Sequence, residues 1–335
     1  MDEIGFRDIL IKRGLPQEQI DEHVAFISLM ENRLAGRQPS IAFEDLTHGA
    51  TQELVDELID SGENSIQNLL ALARYAFLIN NMEMYVAIFQ MLDGYEAMDN
   101  LYQRLSDVVG DDLRDSVFDE LPLPPLGLSR HEKSRYNYQI MRRMDETFGE
   151  TATRNILQDS LRDLPDASYQ SAYQEYHETC EGDIDRFLAF KDRQFTETLR
   201  GFMERGDLFF GQEITEEVIA FVDGNPEIGG GVRAGNIVYE TKIPYNTKAY
   251  LEETDPQKKH YHYCHCPWAK ESLRHGALKV NPMWCQCSGG FHKRQYEVIF
   301  GQPIHVEVLQ NVLQGDPVCR FAIHLPEEAL EKQQS

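Results

Sequence analysis

The sequence predicts an α+β protein, in which a mainly helical N-terminal half precedes a mixed α and β C-terminal domain that ends in a helix-backed antiparallel hairpin. Three observations lead there. Apolar residues recur at helical spacing in the N-terminal half, glycine and proline break up short apolar runs from about residue 208 onward, and strict alternation appears after Pro303.

Taken in order, Ile20, Val24, Ile27, Met30 and Leu34 fall on one helical face, and Gly36 with Pro39 stops that helix. Residues 65–92 are strongly apolar, and the Asn80-Asn81 break predicts a helical hairpin rather than one long helix. Their methionines and aromatics read as core packing rather than as a cofactor box. Leu121-Pro-Leu-Pro-Pro-Leu-Gly127 cannot continue a helix, because each proline lacks an N–H donor and restrains the residue before it. It predicts a stiff connector inside a helical domain spanning 1–207. Residues 133–200 are charged and helix-prone, and the isolated Cys180 beside His177 reads as packed rather than nucleophilic.

An α+β domain is expected over 208–335. Its Gly229-Gly230-Gly231 lacks the Lys-Ser/Thr ending of a phosphate loop and predicts a turn into a strand at Ile237-Val238-Tyr239. Farther on, a helix ends at Gly301-Gln-Pro303. The strand that follows has Ile304, Val306 and Val308 on one face and His305, Glu307 and Leu309 on the other. After a turn at Gln314-Gly-Asp-Pro317, Cys319, Phe321, Ile323 and Leu325 share a face.

With 335 residues, 41% of them hydrophobic, the chain can bury a substantial core, and no apolar run is long enough to cross a bilayer. Asp2, Glu3 and Asp8 interrupt the plan of a secretion signal, so a cytoplasmic location is expected. The formal charge of −24 repels nucleic-acid phosphate and anionic lipid, and neither is expected as a partner. The charge is uneven, however: between Lys258 and Phe300 seven basic residues stand against two acidic ones.

That basic island holds most of the cysteines. Of six in all, Cys264, Cys266, Cys285, Cys287 and Cys319 fall in the last quarter, where a reducing compartment favours metal ligation or thiol chemistry over disulfides. Cys264-His-Cys266 and Cys285-Gln-Cys287 are two Cys-x-Cys pairs separated by eighteen residues. In an extended segment residues i and i+2 point to one face, so two sulfurs can converge on an ion, whereas a disulfide between them would be strained. Four thiolates would close a tetrahedral site, with zinc ahead of iron because sulfur and imidazole both suit it. His260, His262, His265 and His292 are replacement ligands, and His262 and His292 are retained as candidate metal ligands with the five cysteines. The neighbouring lysines and arginines would offset the charge of such a complex, and would equally favour a reactive thiolate.

Leu121 to Gly127, Asn225 to Gly235, Cys264 to Ser272 and Ile299 to Pro303 resemble an uncharacterised bacterial family that shares the doubled Cys-x-Cys over most of the chain. The region from Trp284 to Leu325 is also similar to the 4-vinyl-reductase-type small-molecule-binding domain of hydrocarbon-sensing regulators and to the L-2-amino-thiazoline-4-carboxylic acid hydrolase family. Cys287, Gly301, Pro303, Gly315 and Cys319 carry that similarity. Because cysteines of this region bind zinc in the sensors, the resemblance nominates Cys319 as a further ligand. Asn311 stands where those sensors have another cysteine, so their ligand set does not transfer intact.

The expected function is zinc binding with a small-molecule-binding or sensing C-terminal domain, compatible with a homodimer. One alternative is a hydrolase that uses a metal-bound water, or a cysteine nucleophile activated by His262 or His292. Another is a helical interaction protein without a small ligand. The sequence carries no recognised triad, dinucleotide fingerprint or phosphate loop.

Overall fold

A computed structural model describes residues 1–159, 161–162, 164–274, 278–327 and 329. The chain divides into two units, residues 1–95 with 123–133 and residues 96–122 with 134–335. Neither limit coincides with the expected boundary at 207/208, and residues 275–277, 328 and 330–335 of the expected second domain lie outside the described residues.

The first unit is built from α1 (Glu3–Lys12), α2 (Gln17–Ala35), α3 (His48–Ser61), α4 (Ile66–Leu78) and α5 (Met82–Leu92). Side chains of Asp2, Thr47, Ser65 and Asn81 accept amides of the first turns of α1, α3, α4 and α5, satisfying donors that the helices leave open. The five apolar residues predicted for α2 are all buried. Between α4 and α5, Asn80 takes φ 58° and Asn81 caps the next helix, which is how the chain makes the predicted hairpin. Tyr75 sits edge-on to Phe6 and Phe43, with ring centroids 5.3 and 5.1 Å away, and is core, whereas Phe77 and Phe89 are exposed and Tyr85 is half-buried, so the expected core packing holds for only part of the aromatic stripe. Lys133 donates from Nζ to the carbonyls of Met91 at 2.7 Å and Asp93 at 2.8 Å, covering acceptors at the end of α5.

The second unit adds α6 (Ala97–Val109), α7 (Asp111–Phe118) and most of α8 (Arg130–Leu157), which is bent at Gly149. No helix is formed between Phe118 and Arg130, as the prolines of the connector require. Then come α9 (Gln170–Gln174), α10 (Ile184–Arg205), the short hairpin β1 (Leu208–Phe209) and β2 (Gln212–Glu213), α11 (Glu216–Asp223) and α12 (Pro226–Gly229). Strands β3 (Val232–Ala234) and β4 (Ile237–Thr241) follow, with α13 (Thr247–Glu252), α14 (Pro256–Tyr263), α15 (Gln286–Phe300), β5 (His305–Gln310) and β6 (Arg320–His324) completing the unit.

The glycine cluster turns into β3 rather than directly into the expected strand at Ile237, which is β4 and follows a second turn at 235–236, and Gly230 serves close approach. A Cβ there would meet the Leu188 carbonyl of α10 at 1.9 Å. Strands β3-β4-β6-β5 form one antiparallel sheet in that order. Helix α15 covers one face of it, and a Cβ on Gly289 would already lie 3.2 Å from Val308 and 3.3 Å from Val306. The predicted alternation holds: Ile304 and Val306 are buried and Val308 is half-buried, whereas His305, Glu307 and Leu309 are exposed.

Candidate metal centre

The inward face of β4 carries Val238 and then Glu240, paired with Ile323 and Phe321 of β6. One step further the amide of Lys242 donates to the carbonyl of Cys319 at 3.0 Å, so Lys242 and Cys319 lie side by side where β4 ends and β6 begins. The segment around Cys264 runs against this end. Amides of Tyr245 and Asn246 donate to the carbonyls of Tyr263 and His262, and the Tyr263 hydroxyl donates to that of Lys242. The third contributor is the start of α15, with Cys285 at its N-cap and Cys287 in its first turn.

All six cysteines are unpaired, and four of them share one neighbourhood. Ionised thiols at Cys319, Cys264 and Cys266 would each raise the pKa of Cys285, as Cys319 would that of Cys264 and Cys266 that of Cys319. Several sulfurs also receive N–H donors. Cys264 takes the amide of Cys266, Cys266 takes the amide of Trp268 and the indole Nε1 of Trp284 at 3.2 Å, and Cys319 takes the amide of Val312.

Cys287 is placed differently. Residues i and i+2 lie about 200° apart around a helix. The Cys264 pair is extended after α14, with ψ 126° at Cys264, but the Cys285 pair straddles a helix start. The Cys287 sulfur therefore faces the amide of Leu161 at 3.3 Å and a core that includes Trp268 and Trp284. The thiol whose ionisation would bear on it is Cys266. Among the described residues one group of three metal-ligating side chains has its ligand atoms within 4.8 Å of one another, namely His305, Glu307 and His324. The sulfurs are gathered more loosely than that.

Burial pushes the thiols of Cys264, Cys266 and Cys287 up to about 11, and it raises those of Cys285 and Cys319 as well. Without a metal these groups are protonated at neutral pH. Lys242 opposes the shift at every one of the five.

The histidines divide in the same way. His262, on α14, has its pKa lowered by burial and then by Lys270, and its other charged neighbours are Glu253, Arg274 and Lys258 rather than thiols. His292 of α15 lies against Glu240, Nδ1 to Oε2 2.6 Å, and stacks on Phe321 with centroids 4.3 Å apart. The other oxygen of Glu240 accepts the Tyr296 hydroxyl at 2.7 Å. Burial lowers the His292 pKa and Glu240 opposes it, so the neutral ring donates Nδ1–H to the carboxylate and keeps Nε2 as an acceptor. His265 donates from Nε2 to the Ile243 carbonyl at 2.6 Å, and burial pushes it down to about 3, leaving Nδ1 unprotonated.

Much of the basic island is spent internally. Lys270 lies over the rings of Tyr245 and Tyr261, at 4.0 and 4.9 Å, and Lys293 bridges Asp159 and Glu297 at 2.6 and 2.9 Å. The cation bearing on all five thiols is Lys242, outside the island, joined by Lys270 at Cys264 and by Arg162 at Cys287, and neither Lys242 nor Glu240 was singled out from the sequence. The signal was there: Val238 and Glu240 alternate along a strand, so a carboxylate occupies an inward position. Asn311 has a turn to hold instead of an ion, its Oδ1 accepting the Gln314 amide at 2.9 Å. Cys180 is buried in the core with Phe187 and Tyr296, as expected of a packed cysteine.

Residues 246–330 match DUF6144, a family of unknown function. That span holds the five clustered cysteines, His262 and His292, and it begins just after Lys242. The resemblance expected over most of the chain is thus met over its C-terminal quarter, and neither the vinyl-reductase-type domain nor the hydrolase family is named. No curated protein and no solved structure matches the chain. Among the described residues no helix is long and apolar enough to cross a membrane.

Proposed function

We propose that the C-terminal region is a zinc-binding centre ligated by Cys264, Cys266, Cys285 and Cys319, with Cys287 outside the ligand set. The observation that carries this reading is the gathering of the Cys264, Cys266, Cys285 and Cys319 thiols in one neighbourhood at the end of β4, with the indole Nε1 of Trp284 donating to Cys266 at 3.2 Å. A thiol is a weak acceptor and a metal-bound thiolate a strong one, so fixed donors suit the charged form. Zn–S bonds of about 2.3 Å put tetrahedral sulfurs roughly 3.8 Å apart, so zinc binding would draw the looser cluster together. Zinc would hold deprotonated the thiols that burial otherwise keeps neutral, and Lys242 would offset part of the resulting charge. Beside the sulfurs, Lys242 and the Glu240–His292 pair offer a cation and an oriented imidazole to a small anionic ligand.

A second reading, a hydrolase using a metal-bound water, is favoured by that pair. Glu240 fixes the tautomer of His292 and leaves Nε2 to accept a proton. A cysteine nucleophile has no comparable support, since burial raises each of the thiols.

Elemental analysis of the reduced full-length protein tests the proposal. An equivalent of zinc is expected, lost on Cys264→Ser, Cys285→Ser or Cys319→Ser and retained on Cys287→Ser. Reduced protein that carries no metal and takes up none from added zinc would sink it.

A further inference from the structure

We infer a second metal site, independent of the thiols, on the solvent face of the β5–β6 hairpin, where His305, Glu307 and His324 take a divalent transition-metal ion. His305 and His324 are direct cross-strand partners, and Glu307 stands two residues along β5, so all three project to one face. Their rings lie with centroids 4.9 Å apart, the Glu307 Oε1 is 2.6 Å from Nε2 of His324, and one ligand atom from each residue falls within 4.8 Å of the others.

The platform is stiff. On its opposite face Val306, Phe321 and Ile323 are buried, each no more than 2% exposed, so the two strands cannot slide without uncovering the core. Only the three side chains must move to close around an ion. His305 and Glu307 are exposed and His324 half-exposed, which leaves an entry path and coordination positions for water or an added ligand.

The donor set selects the class of ion. Two imidazoles favour zinc, nickel or copper over magnesium and calcium, and the single carboxylate balances part of the charge without demanding a hard cation. A His–Glu hydrogen bond alone would account for His324 and Glu307. It gives no reason for a second imidazole directly opposite, brought into ring contact with the first.

The test is a titration of the reduced full-length protein with Ni2+, read by calorimetry and by paramagnetic broadening of assigned backbone amides. Broadening is expected at β5 and β6. His305→Ala, His324→Ala and Glu307→Gln, all at exposed or half-exposed positions, should each weaken binding at least by the roughly 10–100-fold that follows loss of a mere second-shell partner. A Cys264→Ser/Cys285→Ser variant should leave the broadening at the hairpin unchanged, which separates this site from the thiol centre. Undiminished Ni2+ binding in His305→Ala and His324→Ala overturns the inference, as does broadening that centres on α15 or disappears in the cysteine variant.

Discussion

In the first unit Leu54, Leu58, Leu72 and Met84 are wholly buried among other apolar side chains, whereas the interior around the end of β4 holds Glu240, Lys270 and thiols. The helical core rests on a non-directional force, and any side chain of suitable shape contributes to it. The sheet end rests on directed contacts, each of which leaves an expensive orphan if its partner is removed. The two regions should therefore fail in different ways.

The largest expected difference comes from metal removal. If zinc closes the thiol cluster, chelation withdraws a contribution on the order of 10 kcal/mol and should expose α14, the start of α15 and β6 to rapid hydrogen exchange. Helices α2 and α4 should keep their protection, and equal loss in both regions would erase the contrast. Next, Phe321→Ala should cost roughly 3–5 kcal/mol in denaturant unfolding and also free the His292 ring that stacks on it. Leu72→Ala, which only opens a cavity, should cost roughly 2–5 kcal/mol and leave zinc content unchanged.

A smaller effect is expected from Glu240→Gln. The Tyr296 hydroxyl keeps an acceptor, but the charge-assisted contact with His292 goes, at roughly 1–3 kcal/mol. The gentlest test lies in the first unit, where burial and then Arg74 hold the pKa of His23 below its ordinary 6.5. The unfolded chain binds that proton more readily than the folded one, so stability falls as the pH drops below about 6.5. His23→Gln should flatten this slope relative to the native protein, measured by denaturant unfolding at several pH values.

The same contrast explains what could be read in advance. Periodicity announces a face, so Ile20 to Leu34, the Asn80-Asn81 break and the alternation from Ile304 to Leu309 were all legible. The cysteines were legible as a cluster, because their residue type and proximity in sequence carry the signal. Which of them point together was not, since Cys-x-Cys converges when extended and diverges on a helix, and the start of α15 at Gln286 decides between the two. Glu240 and Lys242 lie more than twenty residues before Cys264, and the fold alone brings them to the thiols. The unit boundary escaped as well, because α8 begins among residues of one unit and continues in the other.

Among the described residues strand β6 is the latest of the strands in sequence, yet it lies inside the sheet, between β4 and β5. During synthesis, β4 and β5 emerge first, each with an open row of backbone donors and acceptors that only β6 can occupy. Until the ribosome has released it, the nascent domain presents two sticky borders, and a chain interrupted before Arg320 should be prone to association with its own copies.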